Sequence, residues 1–219
     1  MMDNQEIFRH IDHTLLKPDA TWEDVRRICE EAQHYRAASA CIAPVYLQPA
    51  RQSFPQLPLT TVIGFPFGFQ TTATKLAEAK DALLCGATEL DMVIHLGAAR
   101  QGAFHQIEAE IAALREAAGR HILKVIVETC YLNEEQKITL CHVVSSAGAD
   151  YIKTSTGFGI SGAMLTDIAL FRRHLDKNVR IKAAGGIRSK EEMIAFLQAG
   201  ADRLGCSAGV NALFVKGSS

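Results

Sequence analysis

Short apolar runs alternate with amphipathic stretches along the whole chain. The runs fall at residues 12–16, 39–43, 61–65, 89–94, 123–128, 151–154, 180–184 and 203–206, the first being the weakest. Each has the length of a strand rather than a helix. The stretches between them carry helical periodicity. After Ser189, Met193, Ile194, Phe196 and Leu197 share one side before Gly200. Residues 163–175 place Leu165, Ile168, Phe171 and Leu175 on one face. Helix starts agree. Ser189-Lys190-Glu191-Glu192 is a capping box, Asn133-Glu134-Glu135-Gln136 has the same layout, and Thr21-Trp22-Glu23-Asp24 opens a helix in similar style.

A junction recurs between the two patterns. Gly86-Ala87-Thr88, Gly148-Ala149-Asp150 and Gly200-Ala201-Asp202 each close a helical stretch and open an apolar run, and Gly119 holds a similar place before Ile122. Glycine just past a helix is the left-handed cap. The intervals between these glycines are 33, 29 and 52 residues, and the last contains one further strand. A period of about 30 residues is the length of one strand-plus-helix unit. Eight such units with no Pro/Ser-rich linker predict an α/β chain forming a single-domain (β/α)8 TIM barrel over residues 1–219. A doubly wound open sheet is the alternative, but no G-x-G-x-x-G follows the first strands.

Composition narrows the function classes. The chain has 219 residues, 48% of them hydrophobic, enough for one large core. No run approaches the roughly 20 apolar residues of a membrane helix. Met1-Met2-Asp3-Asn4-Gln5-Glu6 lacks the layout of a secretory signal. The six cysteines form no CxxC pair and read as reduced thiols of a cytoplasmic protein. A net charge of -1 without a basic stripe speaks against nucleic-acid binding. No cluster has metal-ligand spacing, and His10 and His13 lack an obvious third partner. The expectation is therefore a cytoplasmic protein without metal, cofactor, nucleic-acid or membrane partner.

Two lysines inside apolar runs point to the chemistry. Lys153 follows Tyr151-Ile152, and Lys182 follows Arg180-Ile181. Lysine is rarely buried unpaired, so each is either half of a structural ion pair or an amine with a lowered pKa. Side chains alternate across a strand. If the apolar set packs on the helices, Asp91, Lys153 and Lys182 all face the barrel interior. Lys124 and Glu128 share a face in the same way, as a structural pair or as a supporting network. In such a barrel the active site lies at the C-terminal ends of the strands, and the last two loops often bind phosphate. Gly185-Gly186 follows the seventh run and Gly205-Cys206-Ser207 the eighth, so their backbone N–H groups are candidate anion donors. Gly157 and Gly159 extend the candidate cradle. A second ammonium beside the first disfavours protonation, so Lys182 is placed to lower the pKa of Lys153. A neighbouring carboxylate can move protons during imine formation.

On six segments the chain resembles the deoxyribose-phosphate aldolase family. These are Ile11-Asp12-His13-Thr14-Leu15-Leu16-Lys17-Pro18, Val62-Ile63-Gly64-Phe65-Pro66-Phe67-Gly68, Glu89-Leu90-Asp91-Met92-Val93-Ile94, Leu123-Lys124-Val125-Ile126-Val127-Glu128-Thr129, Tyr151-Ile152-Lys153-Thr154-Ser155-Thr156-Gly157-Phe158 and Lys182-Ala183-Ala184-Gly185-Gly186-Ile187-Arg188. The resemblance implies a (β/α)8 class I aldolase that reversibly cleaves 2-deoxy-D-ribose 5-phosphate to acetaldehyde and D-glyceraldehyde 3-phosphate. It makes Lys153 the Schiff-base lysine, Lys182 its pKa-lowering neighbour and Asp91 the proton relay. Gly185, Gly186, Gly205 and Ser207 would bind phosphate, and Asp12, Cys41, Lys124 and Thr154 would line the same cavity. Cys41 reads equally as a small buried hydrophobe. Partners reduce to the sugar phosphate and acetaldehyde, with a homodimer or homotetramer possible.

Some positions depart from the family pattern. Cys206 stands where a threonine is common, His95 where asparagine is common, and Ala184 where serine is common. The chain ends without the tyrosine-terminated tail of some members, so substrate closure is expected to differ. The competing readings are another Schiff-base barrel, transaldolase-like or acting on keto acids, and a catalytically silent sugar-phosphate-binding barrel.

Overall fold

The computed structural model describes residues 2–214. Eight parallel strands pair in chain order and close on themselves: β1 (Ile11–Leu15), β2 (Ser39–Ile42), β3 (Leu59–Ile63), β4 (Glu89–Val93), β5 (Ile122–Ile126), β6 (Tyr151–Lys153), β7 (Arg180–Ala184) and β8 (Arg203–Cys206). Closure runs through Ile11 opposite Leu204 and Asp12 opposite Gly205. The helices are α1 (Asn4–Phe8), α2 (Trp22–His34), α3 (Leu47–Ser53), α4 (Thr72–Leu84), α5 (Leu96–Arg100), α6 (Phe104–Ala118), α7 (Glu134–Ser146), α8 (Leu165–His174), α9 (Lys190–Gln198) and α10 (Gly209–Leu213). This is the (β/α)8 barrel, and the open-sheet alternative falls with the β1–β8 pairing.

Strand ends moved where the apolar signal outran the ladder. The third run, expected at 61–65, pairs as Leu59–Ile63, and Gly64 turns away with φ of 63°. The fifth, expected at 123–128, stops at Ile126 because Glu128 takes a left-handed φ of 52°. The first pairs from Ile11 rather than Asp12, and the second, fourth and sixth stop one residue early. The helix expected at 163–175 spans Leu165–His174, with Leu175 as its C-cap. The short α1, α3, α5 and α10 carry too few turns to show a period.

The recurring junction has a physical job. Gly86, Gly119, Gly148 and Gly200 all take positive φ, from 56° to 110°, and close the helices before them. The third residue of each motif then pins the start of the preceding strand. Thr88 Oγ1 accepts from the Leu59 N–H at 3.0 Å, Asp150 from Leu123 at 2.8 Å and Asp202 from Ile181 at 2.8 Å. Arg115 and Arg172 bind the same two aspartates and the carbonyls of Gly119 and Gly200. The repeat in the sequence is thus a repeat of hydrogen bonds at the floor of the barrel.

The hydrophobic core lies outside the barrel, between strands and helices. Ile11, Ile42, Ile63, Leu90, Met92, Leu123, Val125, Ile152, Ile181 and Leu204 all point outward into it. His13 also faces out, where its Nε2 meets Glu31 of α2 at 2.7 Å. Alternation sends the intervening residues inward, and these are mostly polar. The apolar ring therefore seals a charged lumen from solvent.

One buried pair braces the outer layer. Lys75 of α4 is fully buried, and its Nζ donates to Glu110 Oε2 of α6 and to the Val93 carbonyl, each at 2.8 Å. Removing one partner of such a pair strands the other. Lys75→Met should cost roughly 3 kcal/mol of stability in urea unfolding. A loss under about 1 kcal/mol, the range of exposed pairs, would contradict this role.

Candidate active site

Alternation on β4, β5, β6 and β7 brings Asp91, Lys124, Lys153 and Lys182 to one level of the lumen. The register puts Asp91 opposite Lys124 and Lys153 opposite Lys182, while Lys124 stands opposite Tyr151, so its long side chain is what brings its amine up to the Asp91 carboxylate. Asp91 is fully buried and is the hub. Its Oδ2 accepts from Lys153 Nζ and Lys182 Nζ, both at 2.7 Å, and its Oδ1 accepts from Lys124 Nζ at 2.8 Å. Lys182 also donates to Asp12 Oδ2. Below this level Lys124 meets Glu89 Oε2 at 2.6 Å. Arg203 Nη1 meets Asp12 Oδ1 at 2.5 Å and Glu89 Oε2 at 3.5 Å. Ser39 and Thr60 complete the network by donating to Asp12 and Glu89.

The three lysines differ in carboxylate partners. Lys124 lies within 3.5 Å of Asp12, Glu89 and Asp91. Lys182 has Asp12 and Asp91, and Lys153 has Asp91 alone. Burial opposes charge on all three, and the partners decide the outcome. For Lys124, Asp12, Asp91 and Glu89 outweigh burial and hold its pKa above the ordinary lysine value. For Lys182, Asp12 and Asp91 do the same. For Lys153, burial prevails over Asp91, Lys182 pushes the same way, and the pKa falls. Burial also works against charge on Asp91, but Lys124, Lys153 and Lys182 overcome it and hold the carboxyl well below its usual range. Asp12 is likewise kept ionised against burial by Lys124, Lys182 and Arg203.

Lys153 alone of these lysines reaches open space. A cavity of about 300 Å3 lies at the C-terminal ends of β1, β6, β7 and β8, with Lys153 on its floor. Gly157, Gly185, Gly186, Gly205 and Ser207 line it, as the sequence predicts, and so do Thr14, Lys17, Thr156 and Arg188. Successive φ values of 87° and 80° at Gly185 and Gly186 open a turn that only glycine adopts readily. Among the described residues, the backbone N–H groups of Gly186 and Ser207 donate to no backbone carbonyl. With Lys17 and Arg188 on the wall, this end of the cavity suits an anion.

Other predicted residues sit elsewhere. Asp12, Cys41, Lys124 and Thr154 are fully buried and do not line the cavity. Thr154 staples two loops, its hydroxyl donating to the Ala184 carbonyl and accepting from the Ala184 N–H, both at 3.1 Å. Burial raises the Cys41 thiol pKa, which keeps it protonated. Gly159 packs against Cys130 and Glu128 instead of extending the cradle. Lys124 and Glu128 do not pair. The left-handed turn at Glu128 carries its carboxylate to Thr156, whose N–H and hydroxyl both donate to it. Cys206 lines the cavity, but its thiol donates to the Ile187 carbonyl at 3.2 Å, and burial pushes its pKa up to about 11. His95 is exposed at the N-cap of α5, away from the cavity. The expectation about a C-terminal tail concerns residues 215–219, which lie outside the described residues.

Glu89 and Arg203 went unnoticed in the sequence. Both had a usable signal, since each lies two positions before an inward residue, Asp91 and Gly205, on the same face. Among the described residues no three His, Cys, Asp or Glu side chains gather as a metal site, and no helix is long and apolar enough to cross a membrane.

Comparison with known proteins agrees with this geometry. Residues 7–213 match the DeoC/LacD family aldolase. A deoxyribose-phosphate aldolase of Clostridium botulinum (strain Alaska E43 / Type E3) is 50% identical over 213 residues, covering 97% of this chain and 96% of the relative. A crystal structure from Coccidioides immitis, provisionally identified as a deoxyribose-phosphate aldolase, superposes with a TM-score of 0.93 at 40% identity, covering 97% of this chain and 86% of the other. The tetrameric deoxyribose phosphate aldolase of Aeropyrum pernix gives a TM-score of 0.87 at 33% identity, covering 96% and 91%. A charged lumen that isolates one lysine at a cavity floor, on a chain matched nearly end to end, leads to one assignment: the protein belongs to the DeoC/LacD family of aldolases.

Proposed function

We propose that this chain is a class I aldolase that reversibly cleaves 2-deoxy-D-ribose 5-phosphate to acetaldehyde and D-glyceraldehyde 3-phosphate. The observation that carries the reading is Lys153, the one lysine of the cluster that meets the cavity, shares a single carboxylate and has a lowered pKa. Its neutral amine adds to the substrate aldehyde carbon, and loss of water gives an iminium. The iminium draws the electrons of the C2–C3 bond as that bond breaks and the C3 hydroxyl gives up its proton. D-glyceraldehyde 3-phosphate leaves, and an enamine remains on Lys153. Protonation at C2 and addition of water release acetaldehyde and restore the amine. Lys182 keeps its proton and disfavours one on Lys153. Asp91, within 2.7 Å of both amines, is the proposed relay for protons around the carbinolamine. The Gly185-Gly186 turn, the Gly205–Ser207 segment and Arg188 are proposed to hold the phosphate. Asp12, Lys124 and Thr154 then act by fixing Lys182, Asp91 and the β7 loop, without touching substrate.

The chain is further proposed to act as a homodimer or homotetramer in the cytoplasm. The tetrameric Aeropyrum pernix relative supports the first point, and six free cysteines fit a reducing compartment.

Two experiments test the reaction. Borohydride added with acetaldehyde should leave an ethyl group on Lys153, mapped by peptide mass spectrometry, and Lys153→Leu should abolish turnover. An adduct on another lysine, or none, would sink the assignment. Lys182→Leu removes a positive neighbour, so the ammonium form of Lys153 becomes easier to hold and its pKa rises. Turnover at neutral pH should fall about tenfold per unit of that rise and recover on the alkaline side. An acid limb of the pH–kcat profile that stays in place would remove Lys182 from this role.

A further inference from the structure

The floor of the lumen carries a charge pattern that the reaction does not by itself require. Four cations, Lys124, Lys153, Lys182 and Arg203, share three carboxylates, Asp12, Glu89 and Asp91, at ion-pair distance, while Glu128, which also faces Lys153, is turned onto the Thr156 N–H and hydroxyl and forms no ion pair with it. Little water reaches them. Asp12, Asp91, Lys124 and Lys182 are fully buried, and the side chains of Glu89 and Arg203 are 7% and 11% exposed. An enclosed cluster with one unmatched positive charge relieves it most readily by losing a proton. Arg203 cannot supply that proton, since a guanidinium stays charged in proteins. Of the three lysines, Lys153 has the fewest carboxylate partners.

We propose that Glu89 and Arg203, which touch neither Lys153 nor the cavity, are positioning residues that set the neutral fraction of Lys153 through the charge count of the sealed lumen. The proposal rests on Lys153 being the reactive amine. The groups that face Lys153 are Asp91 on β4, Lys182 on β7, Cys41 on β2 and Glu128 beyond β5. The groups that face the pair below are Lys124, Thr60, Asp12 and the Tyr151 hydroxyl, which lies 3.4 Å from Arg203. Glu89 and Arg203 reach Lys153 only through this network, by way of Lys124, Asp12, Lys182 and Asp91.

The two ends of the pair therefore have opposite effects. Glu89→Gln keeps the shape and leaves four cations on two carboxylates, which drives the proton off Lys153. Arg203→Met leaves three cations on three carboxylates, which lets Lys153 keep its proton. A purely structural role would make the two variants fail alike.

The test follows Lys153 acylation by acetic anhydride against pH, read by peptide mass spectrometry, beside the pH–kcat profile. Glu89→Gln should move both acid limbs down by about one pH unit. Arg203→Met should move both up by about one unit, with neutral turnover about tenfold lower and recovered at higher pH. Arg203→Lys keeps the charge and should restore the wild-type limb. Shifts of the same sign in Glu89→Gln and Arg203→Met, or no shift in either, would overturn the proposal. If Glu89→Gln does not fold, the contrast between Arg203→Met and Arg203→Lys decides. Failure of acetaldehyde to label wild-type Lys153 would strike the aldolase reading, while the acylation profiles would still judge the charge claim.

Discussion

The structure depends on enclosing more ammonium and guanidinium groups than carboxylates in a space that water barely enters. Charges cost most where they are least hydrated, so an enclosed cluster survives only if nearly every charge is paired and hydrogen-bonded. Asp91 meets that condition by accepting from three lysines at once, and Asp12 by accepting from Lys182, Arg203 and Ser39. The pairing is complete for Lys124 and Lys182 and weakest for Lys153. The proposed nucleophile sits at the place where the network runs short of negative charge.

The barrel makes this possible by separating two tasks that a smaller fold would have to mix. Outward residues such as Leu90, Ile152 and Ile181 supply the hydrophobic core against the helices. Their inward neighbours are then free to be charged, because stability is provided elsewhere. The Gly-Ala-Asp and Gly-Ala-Thr junctions fix the strand starts at the floor, and the strand ends are left to loops. Those loops meet backbone to backbone. A Cβ at Gly162 would lie 2.1 Å from the Gly185 carbonyl oxygen, so the β6 and β7 loops pack too closely for any side chain there. Thr154 ties the same two loops together. The end of the cavity proposed for the phosphate is thus braced above the amine.

Much of this was legible in the chain. The period of about 30 residues and the glycine caps gave the barrel, because both are local features. Strict alternation placed Asp91, Lys153 and Lys182 inside, since the side-chain period of a strand is fixed. The glycine turns after β7 and β8 line the cavity, as read from the chain, at the end proposed for the phosphate. What stayed hidden depends on register and on backbone turns. Nothing local says that Lys124 would bridge three carboxylates, because its partners lie on β1 and β4. Of the two readings open for Lys124 and Glu128, the direct pair is absent because the left-handed Glu128 follows the end of β5 and leaves the face that alternation gave it. Thr14 lies on β1, two positions after Asp12 and on the same inward face, so alternation could have named it, whereas Lys17 and Arg188 join the cavity through loop paths that no spacing rule foretells. Cys206 stood out in the sequence only as a departure from the family pattern, and nothing local shows that its thiol is committed to the Ile187 carbonyl.

The proposed chemistry requires one lysine of the buried set to be neutral while its neighbours are charged. Nitrogen NMR of the side-chain amines, in protein labelled with 15N-lysine and assigned by single substitutions, reads this directly. Lys153 should titrate below the ordinary lysine value while Lys124 and Lys182 stay protonated across the same range. A spectrum in which Lys182 loses its proton first, or in which all three stay protonated through that range, would contradict it.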